Sequence, residues 1–460
     1  MINPSQFTSR AQAGLSTPDS KRLFAFVSIL FVILAALHFY AAVWYDVGRQ
    51  HDPSIHFAVL RGIVNLEAFP SYNSPYYYLV VGIVSSPFAA LYRLHIIGDA
   101  TYMALAAMWS GLVFHALYSL SCLMLARALR FRISEQMLFV GLCAMLPPVQ
   151  RTFLMLRPEN LILVLAPLAC ALVIGWWRSY RNGVAMMQYP AAYPTLIALS
   201  FMAAQKITGA MLVVALWGCM ILFMGGHWKQ RVLNIIRPSL ILLLMCVGLL
   251  GADKLSSGVS IVEHHASERA DHQHTPSLSV FTTIDLSKAW QEPLRNNHAD
   301  SMINILVIDL FGDYWQYGIL QGHGQSQEWQ VFRARIGLII SVGFVGLYLL
   351  AVFRVLASAV HNNASTILSW ERVMLSALFG LSIVTLIMAA LTYYKPSKFD
   401  IIKWEYVIMY IPFMMIPLVS LLSCTRSIAL RRVLFFVLVL CVGGGFVQSI
   451  WIDPVAALGF

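Results

Sequence analysis

Charge is the scarcest thing in this chain. Of 460 residues, 11% are charged and 59% are hydrophobic. A soluble protein of this length needs far more charge to cover its surface. That shortage excludes a water-soluble enzyme and points to many membrane-spanning helices. The apolar runs are long and continuous rather than alternating, which argues against a closed barrel. Cysteine is also thinly spread. All seven (Cys122, Cys143, Cys170, Cys219, Cys246, Cys424 and Cys441) lie in or at the ends of apolar runs. Neither a disulfide scaffold nor a cysteine metal site is indicated. HExxH and a glycine-rich phosphate loop are both missing. So are an internal repeat of the kind transporters carry and any low-complexity tract.

What is there is a ladder of apolar runs. Windows of spanning length fall at 23–45, 101–126, 135–150, 160–177, 190–205, 209–226, 238–254, 335–356, 373–393, 404–424 and 432–452. The expectation is one all-α polytopic domain over 1–460 with about 11 transmembrane helices. Lys21 and Arg22 precede the first run and no small-residue cleavage site follows it, which reads as a retained signal-anchor. Residues 76–92 are apolar too, but they follow Pro75 and contain Gly82 and Pro87. They read as an interfacial or re-entrant piece.

Charge fixes the expected orientation. With the N-terminus in the cytoplasm, the inner loops carry Arg127, Arg130, Arg132, Arg178, Arg181, Lys229, Arg231, Arg237, Arg426, Arg431 and Arg432. The only carboxylates on that side are Asp19, Glu135 and Glu371. This is the positive-inside pattern, and a full span at 76–92 would invert every later loop. The formal charge of +10 is thus explained by topology, and no nucleic-acid partner is expected. The inner loops are too short for a nucleotide-binding domain. The informative face is the outer one. It holds 46–100, a turn at 151–159, Lys206, a long loop at 255–334, and 394–403. The segment SMINILVIDLFGDYW in the long loop reads as an amphipathic piece lying on the membrane.

The first outer loop is the densest in ionisable and aromatic groups: HDPSIHFAVLRGIVNLEAFPSYNSPYYYL, residues 51–79. Asp46 sits at the mouth of the first span and Asp52 lies six residues on. Residues 54–68 suit a short interfacial helix that leaves Arg61 or Glu67 off the membrane. His56 and Tyr76 are interface anchors in the plainest reading. A carboxylate at this mouth also suits a general base acting on a lipid-borne substrate.

Three further stretches carry charge at the outer face. In LMLRPENLILVL, Pro158 and Glu159 are well explained as a helix start. Arg157 is not, because a cation at a helix N-terminus needs an anionic partner such as phosphate or a loop carboxylate. Lys206, in AAQKITG, breaks two apolar runs and either snorkels or meets an anionic head group. In YYKPSKFDIIKWEYV, Lys395, Lys398 and Lys403 lie outside beside aromatic residues, where they suit a phosphate at the lipid interface. His264, His265, His272 and His274 match no zinc spacing. No organic cofactor is expected, and the sequence leaves a divalent metal open.

The order of these weak motifs, NSPYYYLVV, RALRFR, RPEN, QKITG and KWEYVIMYIPF, resembles that of the GT-C superfamily of polytopic glycosyltransferases over roughly residues 23–424. Its polyprenol-phosphate-sugar-dependent mannosyl- and arabinosyltransferase-like branches are the most similar. The resemblance implies a GT-C fold with interfacial helices in the first outer loop. It implies a carboxylate there, Asp52 or Asp46, that deprotonates an acceptor hydroxyl for attack on a polyprenyl-phosphate sugar, with inversion. It also implies that Arg157, Lys206 and Lys403 neutralise the lipid phosphate, with Glu159, Lys395, Tyr76, His56 and Arg61 lining the substrate. The implied partners are the donor, a lipid or glycan acceptor and membrane lipids. The implied location is a bacterial inner membrane with a periplasmic active face. Three rivals remain. A lipid-diphosphate glycan ligase or polymerase would depend on His264, His265, His298 and Arg295. A lipid or glycan transporter would show repeats and polar residues at mid-span, and a purely structural membrane subunit would need none of these residues.

Overall fold

The structure is a computed structural model. It describes residues 18–44, 53–67, 75–181, 186–223, 228–257, 276–294, 298, 301–312, 327–360, 370–393, 404–425 and 427–450. Among these there is no β-strand. The helices are α1 Pro18–Trp44, α2 Pro53–Asn65, α3 Tyr76–Val84, α4 Ser86–Arg93, α5 Asp99–Ala128, α6 Ile133–Met145, α7 Pro147–Leu154, α8 Glu159–Arg181, α9 Ala192–Gln205 and α10 Ile207–Phe223. They continue as α11 Trp228–Ser257, α12 Leu278–Thr282, α13 Leu286–Gln291, α14 Met302–Gly312, α15 Gln327–Val360, α16 Trp370–Leu378, α17 Gly380–Tyr393, α18 Ile411–Cys424 and α19 Ile428–Ile450.

The chain is a polytopic helical membrane protein. Among the described residues, 7 helices are long and apolar enough to cross a membrane, or up to 8 if the bent pair α6–α7 is one span. Their outer surfaces are greasy in a way no aqueous protein sustains. Leu240, Leu243 and Leu244 on α11, and Phe435, Phe436 and Leu440 on α19, are all exposed.

α5 is the axis of the fold. Its 30 residues make a rod of about 45 Å, longer than a hydrocarbon core of about 30 Å. At its first end, Arg61 of α2 pairs with Asp99 at 3.6 Å. There too, Phe57 of α2 and Tyr92 of α4 both meet the Tyr102 ring, at centroid distances of 6.1 and 4.9 Å. Arg61 precedes α3–α4 and Asp99 follows them, so the chain lies at this end of α5 on both sides of the two short helices, while Tyr77 at the start of α3 packs on Phe114, midway along α5.

The far end of α5 shows why RALRFR is written as it is. Arg130 adopts a left-handed conformation, φ 55°. The amides of Arg130 and Phe131 turn back to the carbonyls of Arg127 and Ala126 at 2.9 and 3.0 Å, a Schellman ending. Arg372 of α16 donates to the Leu129 and Arg130 carbonyls that the ending leaves over. Arg178 of α8 donates to the Ala128 carbonyl at 2.6 Å and to Glu371 at 2.8 Å. Glu135 accepts from the Arg132 amide and from Ser423 of α18. The arginines tie α5, α8 and α16 together at that end, and Glu135 ties α6 to α18.

Two sequence expectations are corrected here. The turn expected at 151–159 is confined to 155–158, because residues 147–154 form helix α7. Pro147 and Pro148 restart the helix after a 56° bend, and every residue of α7 is buried. Proline removes a donor and clashes with the turn before it, so a bend at this pair is dictated locally. The segment around α14, expected on the membrane surface, is also inside. Ile305, Ile308, Leu310 and Phe311 are all buried, and α14 lies against α7, α15 and α19.

α5 and α7 approach backbone to backbone at Gly111. A Cβ there would overlap the Phe153 carbonyl oxygen and sit 3.0 Å from the His38 ring. Gly111→Ala must push α7 outward. It should lower stability by about 1–3 kcal/mol, read as an earlier thermal unfolding transition in detergent. An unchanged transition would contradict this contact.

Candidate functional site

The turn between α7 and α8 is the centre of the site. Met155 is extended, and Arg157 and Glu159 are both nearly fully buried. Buried backbone in an irregular turn needs partners. Tyr77 of α3 supplies one, as its hydroxyl accepts from the Arg157 amide at 3.0 Å and from Asn160 Nδ2 at 3.3 Å. Asn160 Nδ2 also donates to the Met155 carbonyl at 2.9 Å. Burial pushes the Tyr77 hydroxyl pKa up, so it keeps its proton.

Three charges meet at this turn. Lys206 Nζ donates to Glu159 Oε1 at 2.5 Å. Arg157 Nε lies 3.7 Å from Glu159 Oε2. Glu159 sits in the first turn of α8, where a carboxylate also faces the positive end of the helix. Lys206 reaches it because the backbone there is extended, φ −160° and ψ 153°. The break ends α9 at Gln205 and starts α10 at Ile207, so Lys206 faces across the gap. Lys206 Nζ also lies 5.8 Å from the centroid of the Tyr406 ring, a cation–π approach.

A chain of contacts runs outward from the turn. The Tyr77 and Tyr78 rings meet edge to face at 5.0 Å. Tyr78 Oη is hydrogen-bonded to His56 Nδ1 of α2. Tyr76 donates to the Leu249 carbonyl of α11 and packs on Phe201 of α9. The structure therefore brings His56, Tyr76, Arg157, Glu159 and Lys206 into one neighbourhood, from three stretches far apart in sequence. Arg61 is not among them. Its partner is Asp99 and its side chain is 47% exposed, so it belongs to the end of α5. Asp46, Asp52, Lys395 and Lys403 lie outside the described residues. Asp52 directly precedes Pro53 of α2, and Lys403 directly precedes Trp404.

Several residues here escaped the sequence reading. Neither Tyr77 nor Asn160 was singled out in the sequence. Arg151 and Asp309 form a buried ion pair at 3.1 Å. The signal for that pair was present, because an ionisable group inside an apolar run is seldom idle. His38 and His115 are buried together between α1 and α5, 3.4 Å apart, with His115 Nε2 donating to the Ala144 carbonyl. Each of these lone polar groups was averaged away in a hydropathy window.

Of the residues the rival ligase would need, only His298 is described. It is buried, bonded through Nε2 to the Glu292 carbonyl at 2.7 Å and close to Asn304. Asn304 in turn holds both the amide and the carbonyl of Asp285. These bonds hold the long loop in shape. Among the described residues, no group of three or more His, Cys, Asp and Glu side chains is gathered as a metal site.

Chemically, the turn offers two cations, one carboxylate and a protonated phenol in a sheltered recess. That set can bind and stabilise an anion whose charge grows during a reaction. Comparison with protein-family models and with curated proteins finds no match to this sequence.

Proposed function

We propose that this protein is a GT-C-type membrane glycosyltransferase. It moves a sugar from a polyprenyl-phosphate donor to a lipid or glycan acceptor. The observation that carries this reading is the convergence of residues from four of the five motif stretches, NSPYYYLVV, RPEN, QKITG and KWEYVIMYIPF, on one buried polar cluster. α2, which begins just after Asp52, and the turn at Trp404, just after Lys403, both reach the Arg157–Glu159–Lys206 group through Tyr78 and Tyr406.

The step is a displacement. The carboxylate of Asp52 or Asp46 takes the proton of the acceptor hydroxyl. The freed oxygen forms a bond to the anomeric carbon as the bond from that carbon to the phosphate oxygen breaks. Polyprenyl phosphate leaves with the electron pair, and the configuration inverts. Arg157 and Lys206, with Lys395 and Lys403, stabilise the charge that gathers on the phosphate. Lipid phosphate is already a fair leaving group, so a base, cations and positioning suffice.

The eleven-span topology belongs to the same proposal. It adds α9, α10 and α18 to the longer spans and puts the N-terminus in the cytoplasm of a bacterial inner membrane. The contacts support it, because each joins segments that this alternation places on one side. The alternation puts both partners of Arg61–Asp99, Lys206–Glu159 and Arg151–Asp309 on the periplasmic side, and both partners of Arg178–Glu371 and Glu135–Ser423 on the cytoplasmic side. Cysteine placed at His95 should react with a membrane-impermeant thiol reagent in intact cells, and cysteine at Arg181 only after permeabilisation. The reverse labelling would sink the orientation.

The reaction itself is tested with purified protein in liposomes and a panel of radiolabelled polyprenyl-phosphate sugars. Lipid-diphosphate glycans serve as the contrast. Transfer from one monophosphate donor is expected. Transfer from the diphosphate glycans alone would establish the ligase reading instead.

A further inference from the structure

The long loop between α11 and α15 has no role in the proposed chemistry, yet its helix α14 is anchored in the protein interior. Asp309 lies on it with almost no exposed surface. Arg151 of α7 reaches Asp309 twice, through Nη1 to Oδ1 at 3.1 Å and through Nη2 to the backbone carbonyl at 2.6 Å. One turn earlier on α14, the Leu306 carbonyl accepts from Trp404 Nε1 at 2.8 Å. α14 cannot drift, because α15 crosses it glycine to glycine. A Cβ on Gly337 would lie 2.5 Å from Gly312 Cα.

These two grips fall on two walls of the cationic cluster. Arg151 sits on the buried helix whose end feeds the turn carrying Arg157 and Glu159. Trp404 opens the turn whose Tyr406 ring stands beside Lys206. No other contact is needed to tie the two walls to one rigid part.

We infer that α14 is a positioning helix for the anion site, with Arg151–Asp309 and Trp404–Leu306 setting the distance between its walls. This rests on the phosphate-donor reading for its consequence in catalysis, but not for its geometry. A buried ion pair is weak evidence of stability, since well-packed apolar residues often replace one at little cost. Holding these two walls in register is a use that stability alone does not give. Misplacement of such a site by about 1 Å can lower turnover by about 100-fold.

The test is Arg151→Met/Asp309→Leu, an apolar exchange of the whole pair, in the full-length protein. Two quantities are read: the rate at which an amine reagent labels Lys206, followed by mass spectrometry, and the kinetic constants for the sugar donor. Faster labelling of Lys206 is expected, because loosened walls weaken its bond to Glu159. The kcat with the donor should fall by about tenfold or more, with KM changed less. If the double variant does not fold, Trp404→Phe is read in its place; it deletes only the bond to Leu306 and should also speed labelling. Lys206 labelled at the wild-type rate in a folded variant would overturn the inference, whatever transfer shows. Faster labelling in a protein that uses no phosphate donor would uphold the positioning role and remove the transferase reading.

Discussion

Replacing Glu159 with alanine is expected to destabilise the protein by about 3–5 kcal/mol. The carboxylate is the shared partner of Lys206 and Arg157, with its side chain 4% exposed. Its removal takes from Lys206 and Arg157 a buried carboxylate that both face, and desolvated charge is costly when it loses a partner. Glu159→Gln keeps the shape and one acceptor for Lys206, so its loss should be smaller. Arg61→Ala is the internal control. That pair is about half exposed and should contribute no more than about 1 kcal/mol. Thermal or denaturant unfolding in detergent separates the three. Equal midpoints for Glu159→Ala and Arg61→Ala would contradict the buried cluster.

Lys206→Met should have the largest effect on turnover. Of the three charges, Lys206 is the most accessible, with its side chain 16% exposed against 5% for Arg157 and 4% for Glu159. It is the end of the cluster that an incoming anion meets. Removing one preorganised charge at a site of developing negative charge lowers turnover by about 10²–10³-fold. Stability should fall less than in Glu159→Ala, because Arg157 still faces the carboxylate. Lys206→Arg is not a neutral exchange, since a planar guanidinium cannot reproduce a point contact between two helix ends. A Lys206→Met enzyme with wild-type kcat/KM for the donor would remove this residue from the mechanism.

The all-helical membrane architecture was legible because long apolar runs and basic loops are one-dimensional signals. Residues 76–92 fall in two short helices, α3 and α4, with Pro87 in the first turn of the second. What hydropathy could not say is which apolar surface meets lipid and which meets protein. α14 is the clearest case. MINILVIDLFG reads as a surface piece, yet it is an interior helix held by Asp309, because burial in protein and burial in lipid select the same residues. The same blindness hid α7, whose proline pair gave the only hint of a bend. At the site, Arg157 and Lys206 were visible as charges out of place, while Glu159 read as an ordinary helix start. Their mutual pairing was not visible, because a residue 47 positions away along the chain leaves no local pattern. Arg61 was singled out by the same rule and lies elsewhere, since an exposed cation near an interface looks identical in sequence.

Transfer by the wild type beside Asp52→Asn and Asp46→Asn tests the central claim most directly. Each would be purified, reconstituted and given the donor that the panel identifies. The expected result is transfer by the wild type and a loss of about 10²–10⁴-fold in one of the two variants, the loss typical of a missing general base. Undiminished transfer by both variants would contradict the claim that the first loop supplies the base to the Arg157–Glu159–Lys206 site.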